Sequence, residues 1–232
     1  MGTMEKITSG GVPMNVYVAT PEGKGPFPAV LLMFHRAGID EFTRDRADRL
    51  ARAGYIAAAP DLFHRMPPDT ENPLTLLDDV HITEDIAATV GHIKGKPACN
   101  GKLAILGHCM GGRIAFLGAA VNPAFSAAVI YYCGNMFKPW GEGVPTPFER
   151  LSGLKGPVIG FFGNDDKNPS PDDVTKIDQA LTKIGIQHEF HRYDGAGHAF
   201  QNFVRDDVHR PTQANDAWAK TLTFLRRELA ER

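Results

Sequence analysis

Residues 103–112 read Leu-Ala-Ile-Leu-Gly-His-Cys-Met-Gly-Gly, an apolar run ending in Gly107-x-Cys109-x-Gly111. A sharp strand-to-helix turn of this kind holds a nucleophile in a strained backbone conformation, and crowding demands small residues two before and two after it. Gly107 and Gly111 meet that demand, and Cys109 stands where serine is usual. A thiol titrates at about 8.5 unperturbed, so nucleophilic use near neutrality needs a base or positive surroundings; the amides of the following helix favour a thiolate. The plainer alternative is a buried structural thiol. The order of strand, Gly-x-Cys-x-Gly and a helix opening on small residues (Gly111, Gly112, Ala115) argues against it.

A base is expected later in the chain, and Tyr193-Asp194-Gly195-Ala196-Gly197-His198-Ala199-Phe200 supplies His198 on a loop after the last strand. A third group must orient the imidazole. Phe161-Phe162-Gly163-Asn164-Asp165-Asp166 ends an apolar run on two carboxylates, of which Asp166 is favoured over Asp165. The order Cys, Asp, His is the one used by the α/β-hydrolase architecture. An oxyanion hole takes one backbone amide from the residue after the nucleophile, Met110, and one from the turn Phe34-His35-Arg36-Ala37-Gly38, namely Arg36. His108, inside the elbow, reads as a pocket-wall group or a support behind it. His188 and His191 resemble a metal pair, but three residues apart on a strand they point to opposite faces, so no metal site is expected. An imidazole beside the thiol should stabilise the thiolate as an ion pair and bring its titration below the free-thiol range.

These groups need a scaffold, and the chain alternates apolar runs with helical patterns, which predicts a mostly parallel central sheet with helices on both faces. Strands are expected at Asn15–Ala19, Ala29–Phe34, Ile56–Ala59, Leu103–Leu106, Ala127–Tyr132, Val158–Phe162 and Gln187–Tyr193, and none before Asn15. The first of these alternates in polarity and so suits an edge. Helices are expected at Thr43–Ala53, Thr83–Lys94, Gly112–Val121, Asp172–Ile184 and Ala214–Glu231. Two Pro- and Gly-rich stretches, His64–Leu74 and Gly134–Gly156, read as loops. The second, with Met136, Phe137, Trp140 and Phe148, is either a packed excursion or a substrate-contacting segment.

The 232 residues, 43% hydrophobic, suffice for one α/β domain spanning 1–232. A net charge of −2 with scattered Lys and Arg gives no footprint for nucleic acid or anionic membrane. There is no apolar run of about 18 residues and no signal-peptide core after Met1. The three cysteines, Cys99, Cys109 and Cys133, form no CxxC pair. A reducing, cytoplasmic setting and a small-molecule partner follow, with Cys99 and Cys133 as small buried hydrophobes.

With the elbow cysteine, the Gly163-x-x-Asp166 turn and the Gly195-x-Gly197-His198-x-Phe200 loop in place, the chain resembles the dienelactone hydrolase family. Gly54-Tyr55 to Pro60-Asp61-Leu62 and Asn100-Gly101-Lys102-Leu103 are similar to that family's segments too, so the likeness runs nearly end to end. It implies a Cys109–His198–Asp166 triad, an ester or lactone opened through an acyl-cysteine, no metal or organic cofactor, and a monomer or weak homodimer. Two positions depart from the pattern. His35 stands where the family's well-known bacterial members carry a glutamate that interacts with the resting thiol. Asn202 stands where they carry an arginine that holds the lactone carboxylate; Arg36, Arg65 or Arg205 could replace that charge. His35, His108 and Asn202 are therefore the pocket candidates. A general carboxylesterase or thioesterase is the alternative, and an idle or redox-sensing thiol protein a more distant one.

Overall fold

A computed structural model describes residues 1–67 and 69–230. Glu231, the expected end of the last helix, lies outside the described residues, as does Pro68 within the first loop.

Eight strands form one sheet: β1 (Thr3–Ser9), β2 (Val12–Ala19), β3 (Phe27–Met33), β4 (Ile56–Pro60), β5 (Cys99–His108), β6 (Phe125–Tyr131), β7 (Val158–Gly163) and β8 (His188–Tyr193). Their order across the sheet is β1-β2-β4-β3-β5-β6-β7-β8. β1 and β2 run antiparallel to their neighbours, and the pairs from β4 to β8 are parallel. The helices are α1 (Glu41–Arg52), α2 (Asp79–Lys94), α3 (Met110–Val121), α4 (Pro171–Lys183) and α5 (Pro211–Glu228).

β1 departs from the expectation that no strand precedes Asn15, and it displaces β2 from the edge to the second position. Its side chains are mostly exposed or half-buried, so the apolar signal of a buried strand is missing. The signal that was present lies just after it. Gly10 and Gly11 join Ser9 to Val12 with φ of +53° and +81°, the positive pair that a two-residue hairpin turn requires and that glycine adopts freely.

Alternate residues of the parallel strands feed two cores. Leu31, Met33, Leu103 and Ile105 pack with Ile82 and Ile86 of α2, Ile114 of α3 and Ile177 of α4. Val30, Leu32, Ala104 and Leu106 face the other way, onto Leu50 of α1 and Phe224 and Leu225 of α5. Burial on both faces is why these strands read as continuous apolar runs. The parallel direction then puts every strand's carboxyl end on one edge, where the loops carrying chemistry collect.

The helix starts are set by local chemistry. The Asp40 side chain accepts the Thr43 N–H at the start of α1, and Asp78 accepts those of Val80 and His81 at the start of α2. Ser170 and Asp173 form a reciprocal capping box on α4.

Candidate active site

β5 ends at His108, and Cys109 turns the chain into α3 with φ +60° and ψ −122°. This left-handed conformation is rare for a residue with a side chain. The turn is tight enough to fix its neighbours: a Cβ on Gly107 would meet the Gly111 oxygen at 1.9 Å, and one on Gly111 would meet the Met33 oxygen at 2.2 Å. The Cys109 N–H donates to the Tyr131 oxygen of the adjacent strand at 3.0 Å, holding the elbow against β6.

His198 Nε2 lies 2.9 Å from Cys109 Sγ, and His198 Nδ1 lies 2.8 Å from Asp166 Oδ2. The structure thus brings Asp166 to the imidazole; Asp165 is exposed, and its N–H donates to the Ala196 oxygen at 3.0 Å. The other oxygen of Asp166 accepts the Asn168 N–H at 2.9 Å. Burial alone would push the His198 imidazole down. Hydrogen bonds to Asp166 and Cys109, together with their negative charge, outweigh it and hold the imidazole up at about 10.

Cys109 and His198 line a cavity of about 290 Å³ with His35, Arg36, Ala37, Phe42, Tyr132, Ala199, Asn202 and Arg205. Two of the expected pocket residues are therefore in its wall. His35 turns Nε2 to Asp40 Oδ2 at 2.9 Å and makes no hydrogen bond to the thiol. Burial would raise the Asp40 carboxyl, but the bonds from His35 and the Thr43 N–H bring it below the usual carboxylate value. Asn202 is buried, its side-chain oxygen accepting the Val204 N–H at 3.1 Å.

As a pocket-wall group His108 is a correction, because it does not line the cavity; its place fits the other reading, a support behind it. Side chains alternate along β5, so the residue before the nucleophile points away from it. The ring stacks on Tyr131 at 4.5 Å, sets its edge to Phe42, and bonds Gln201 at 3.0 Å. Burial, then the nearby Arg46 charge, holds this imidazole well below its usual value, so it is neutral. Its bond to Gln201 ties the elbow to the segment just after His198. Arg65 is also elsewhere, paired with Asp85 at 2.5 Å and Glu84 at 3.3 Å, whereas Arg36 and Arg205 reach the cavity. Arg205 is also paired with Asp207, which is not in the cavity wall.

Met110 opens α3, and the first N–H groups of a helix have no partner within it. The turn after β3 closes by the Gly38 N–H donating to the His35 oxygen at 3.0 Å; among the described residues the Arg36 N–H takes no backbone acceptor. The loop 134–156 contributes nothing to the cavity wall. Trp140 covers the Arg113 guanidinium at 3.8 Å and Phe148 packs on Phe137, so it is a packed excursion. His188 bonds Asp178 of α4, whereas His191 stacks on Phe161, on the opposite face of β8.

Sequence reasoning missed Tyr132, Asn168 and Gln201. Gln201 acts through a contact with His108, 93 residues away, which no spacing announces; Asn168 bonds Asp166 only two residues back, a local turn that the sequence reading passed over. Tyr132 had a signal, its place just past a strand end on the carboxyl edge of the sheet.

Comparison with known proteins shows the family. The model of the dienelactone hydrolase family matches residues 14–229. A protein of Escherichia coli K12 named "Putative carboxymethylenebutenolidase" is 33% identical over 231 residues, covering 95% of this chain and 84% of the relative. A Bradyrhizobium protein named "Probable 2-oxo-3-(5-oxofuran-2-ylidene)propanoate lactonase" is 34% identical over 223 residues, covering 90% of this chain and 88% of its own. The crystal structure titled "Putative Dienelactone Hydrolase" from Klebsiella pneumoniae superposes with a TM-score of 0.89 at 28% identity, covering 100% of this chain and 99% of the other. The chain belongs to the dienelactone hydrolase family, a hydrolase of carboxylic ester bonds on the α/β-hydrolase fold. Among the described residues no helix is long and apolar enough to cross a membrane.

Proposed function

We propose that this protein opens a lactone or ester through an acyl-cysteine on Cys109. The observation that carries the reading is the hydrogen-bonded chain Cys109–His198–Asp166, at 2.9 and 2.8 Å, opening on a cavity. His198 takes the thiol proton and Asp166 supports the imidazolium. The thiolate attacks the carbonyl carbon, and the N–H groups of Arg36 and Met110 hold the developing oxyanion. As the C–O bond breaks, the leaving oxygen takes its electron pair and the proton from His198. Water then attacks the thioester with His198 as base, and the carboxylic acid leaves while the thiol is restored. Cys109, His198, water and the substrate's own C–O bond account for every proton and electron pair in the cycle, so the proposed chemistry calls on no cofactor.

The name of the Bradyrhizobium relative points to a lactone bearing a carboxylate. Among the described residues no carboxylate lines the cavity and two arginines reach it, which supports an anionic substrate. The pairing of Arg205 with Asp207 and the apolar wall of Phe42, Ala37 and Ala199 favour the second reading, an uncharged ester or thioester. A panel of lactones with and without a free carboxylate separates the two, a preference above about tenfold for the acids being expected from the first. Alkylation of Cys109 by iodoacetamide, followed by mass spectrometry, tests the nucleophile; activity that survives complete modification rejects it. The free thiols of Cys99, Cys109 and Cys133 fit a reducing cytoplasm.

A further inference from the structure

Tyr132 follows the last residue of β6 with φ +36°, a left-handed conformation for a bulky side chain. Its N–H donates to the Phe161 oxygen at 2.8 Å, which holds the backbone there. The side chain is 1% exposed, packed against Phe200 and set edge-on to the His198 ring, each at 5.3 Å between centroids. A buried tyrosine hydroxyl ordinarily finds a partner. That of the preceding Tyr131 does, bonding Thr221 at 2.5 Å and the Ala217 oxygen at 3.2 Å. The Tyr132 hydroxyl takes no hydrogen bond among the described residues. Nor is it sealed: among the described residues the shut-off, unpartnered side-chain atoms are Asp45 Oδ2, Arg46 Nε, Arg150 Nε and His191 Nε2. The hydroxyl therefore opens on the cavity that Tyr132 lines with Cys109 and His198.

The sheet order says which part of a substrate it meets. β6 lies beside the nucleophile strand β5 on the side of β7 and β8, whose following loops bring Asp166 and His198. β3, whose turn presents the Arg36 N–H, lies on the other side of β5. A carbonyl carbon bonded to Cys109 Sγ turns its oxyanion toward the β3 side and its leaving oxygen toward His198. Tyr132 stands with His198.

We propose that Tyr132 is a catalytic residue whose hydroxyl donates a hydrogen bond to the leaving-group oxygen of the ester or lactone. The assignment rests on the acyl-cysteine reading above. The C–S bond has formed, the C–O bond breaks with its electron pair going to the leaving oxygen, and the proton comes from His198 Nε2. The Tyr132 proton stays on its own oxygen. Burial, then the charge at Cys109, pushes this phenol well above its usual value, which keeps it a donor throughout.

Such a donor matters most for leaving groups that are strong bases, the alkoxides of alkyl esters and lactones, and little for nitrophenolate. Tyr132→Phe keeps the ring and removes the donor. With acyl-matched substrates, kcat/KM is expected to fall on the order of 10- to 100-fold for the ethyl ester and the lactone, as for a lost bond to a charged oxygen. It should change by less than about threefold for the 4-nitrophenyl ester. The iodoacetamide rate at Cys109 and the melting temperature should be unchanged. A uniform fall across leaving groups, no fall at all, or a matching fall in alkylation overturns the assignment, the last by showing an effect on the Cys109–His198 pair. A Cys109→Ala variant that retains activity sinks the acyl-cysteine reading and this assignment with it. Normal dependence on Cys109 with a uniform Tyr132→Phe effect sinks this assignment alone.

Discussion

His198 is caught between two opposed forces, burial that disfavours its charge and two hydrogen-bonded partners that favour it, and the partners win. In the resting pair with a Cys109 thiolate its imidazolium therefore persists through neutral pH and is lost as pH rises through about 10, whereas the acyl-cysteine, which carries no charge, leaves His198 free to act as base. Because that cation supplies the leaving group's proton, acylation should decline on the alkaline side near the same value. Asp166→Asn removes the carboxylate that raises it, so the alkaline limb must move to lower pH. The kcat/KM profile of the two proteins over pH 6–11 checks the direction; an unmoved limb would mean that Asp166 does not support the imidazolium. Replacement of Cys109 by Ala should abolish turnover, since neither His198 nor Asp166 can replace the attacking sulfur.

At the scale of the element, α3 is the least negotiable part of the chain. Ten of its residues are buried, and its first turn presses on β3 through Gly111. Gly107→Ala would drive a methyl group into the Gly111 backbone, and the expected loss of stability is about 3 kcal/mol, at the high end for overpacking. Gly11→Ala makes the contrast. Nothing lies within 4 Å of a Cβ there, so the expected loss is about 1 kcal/mol from the left-handed backbone alone. Urea unfolding of the two variants measures the difference. Equal losses would mean that the elbow yields to the added methyl group and that close approach at Gly107 costs no more than a strained turn.

Across the whole molecule, a buried ion pair joins pieces that are far apart in the chain. Arg113 of α3 is fully buried and grips Asp79, the first residue of α2, with bonds of 2.6 and 2.9 Å. The same guanidinium donates to the Lys138 oxygen at 2.7 Å and the Asn135 oxygen at 3.3 Å, pinning the loop 134–156. Asn135 in turn donates its N–H to the side chain of Asn168, whose own N–H reaches Asp166. Asp79→Ala would strand a buried cation and should cost about 3–5 kcal/mol, whereas Asp79→Leu with Arg113→Met should recover most of it. Unfolding midpoints of the single and double variants decide; a double variant as unstable as the single would show that the loop contacts outweigh the pair.

What could be read from the chain alone is what short-range sterics and strand periodicity impose. An elbow needs small residues two before and two after its nucleophile, so Gly107, Cys109 and Gly111 declare themselves locally. Strands buried on both faces leave continuous apolar runs, so the parallel part of the sheet was legible, whereas β1, polar and half-exposed, was betrayed by Gly10–Gly11 alone. The order Cys109, Asp166, His198 was legible for the same reason, each residue ending a readable strand or following one. Which groups surround that triad was not, because it depends on the side of a strand and on loops separated by dozens of residues. Tertiary packing turned His108 into the core, closed the favoured Asp166 onto His198, seated His35 on Asp40, and put Tyr132 in the cavity wall. A sequence states which groups are available and where the chain must turn; only the closed sheet decides which of them share one space.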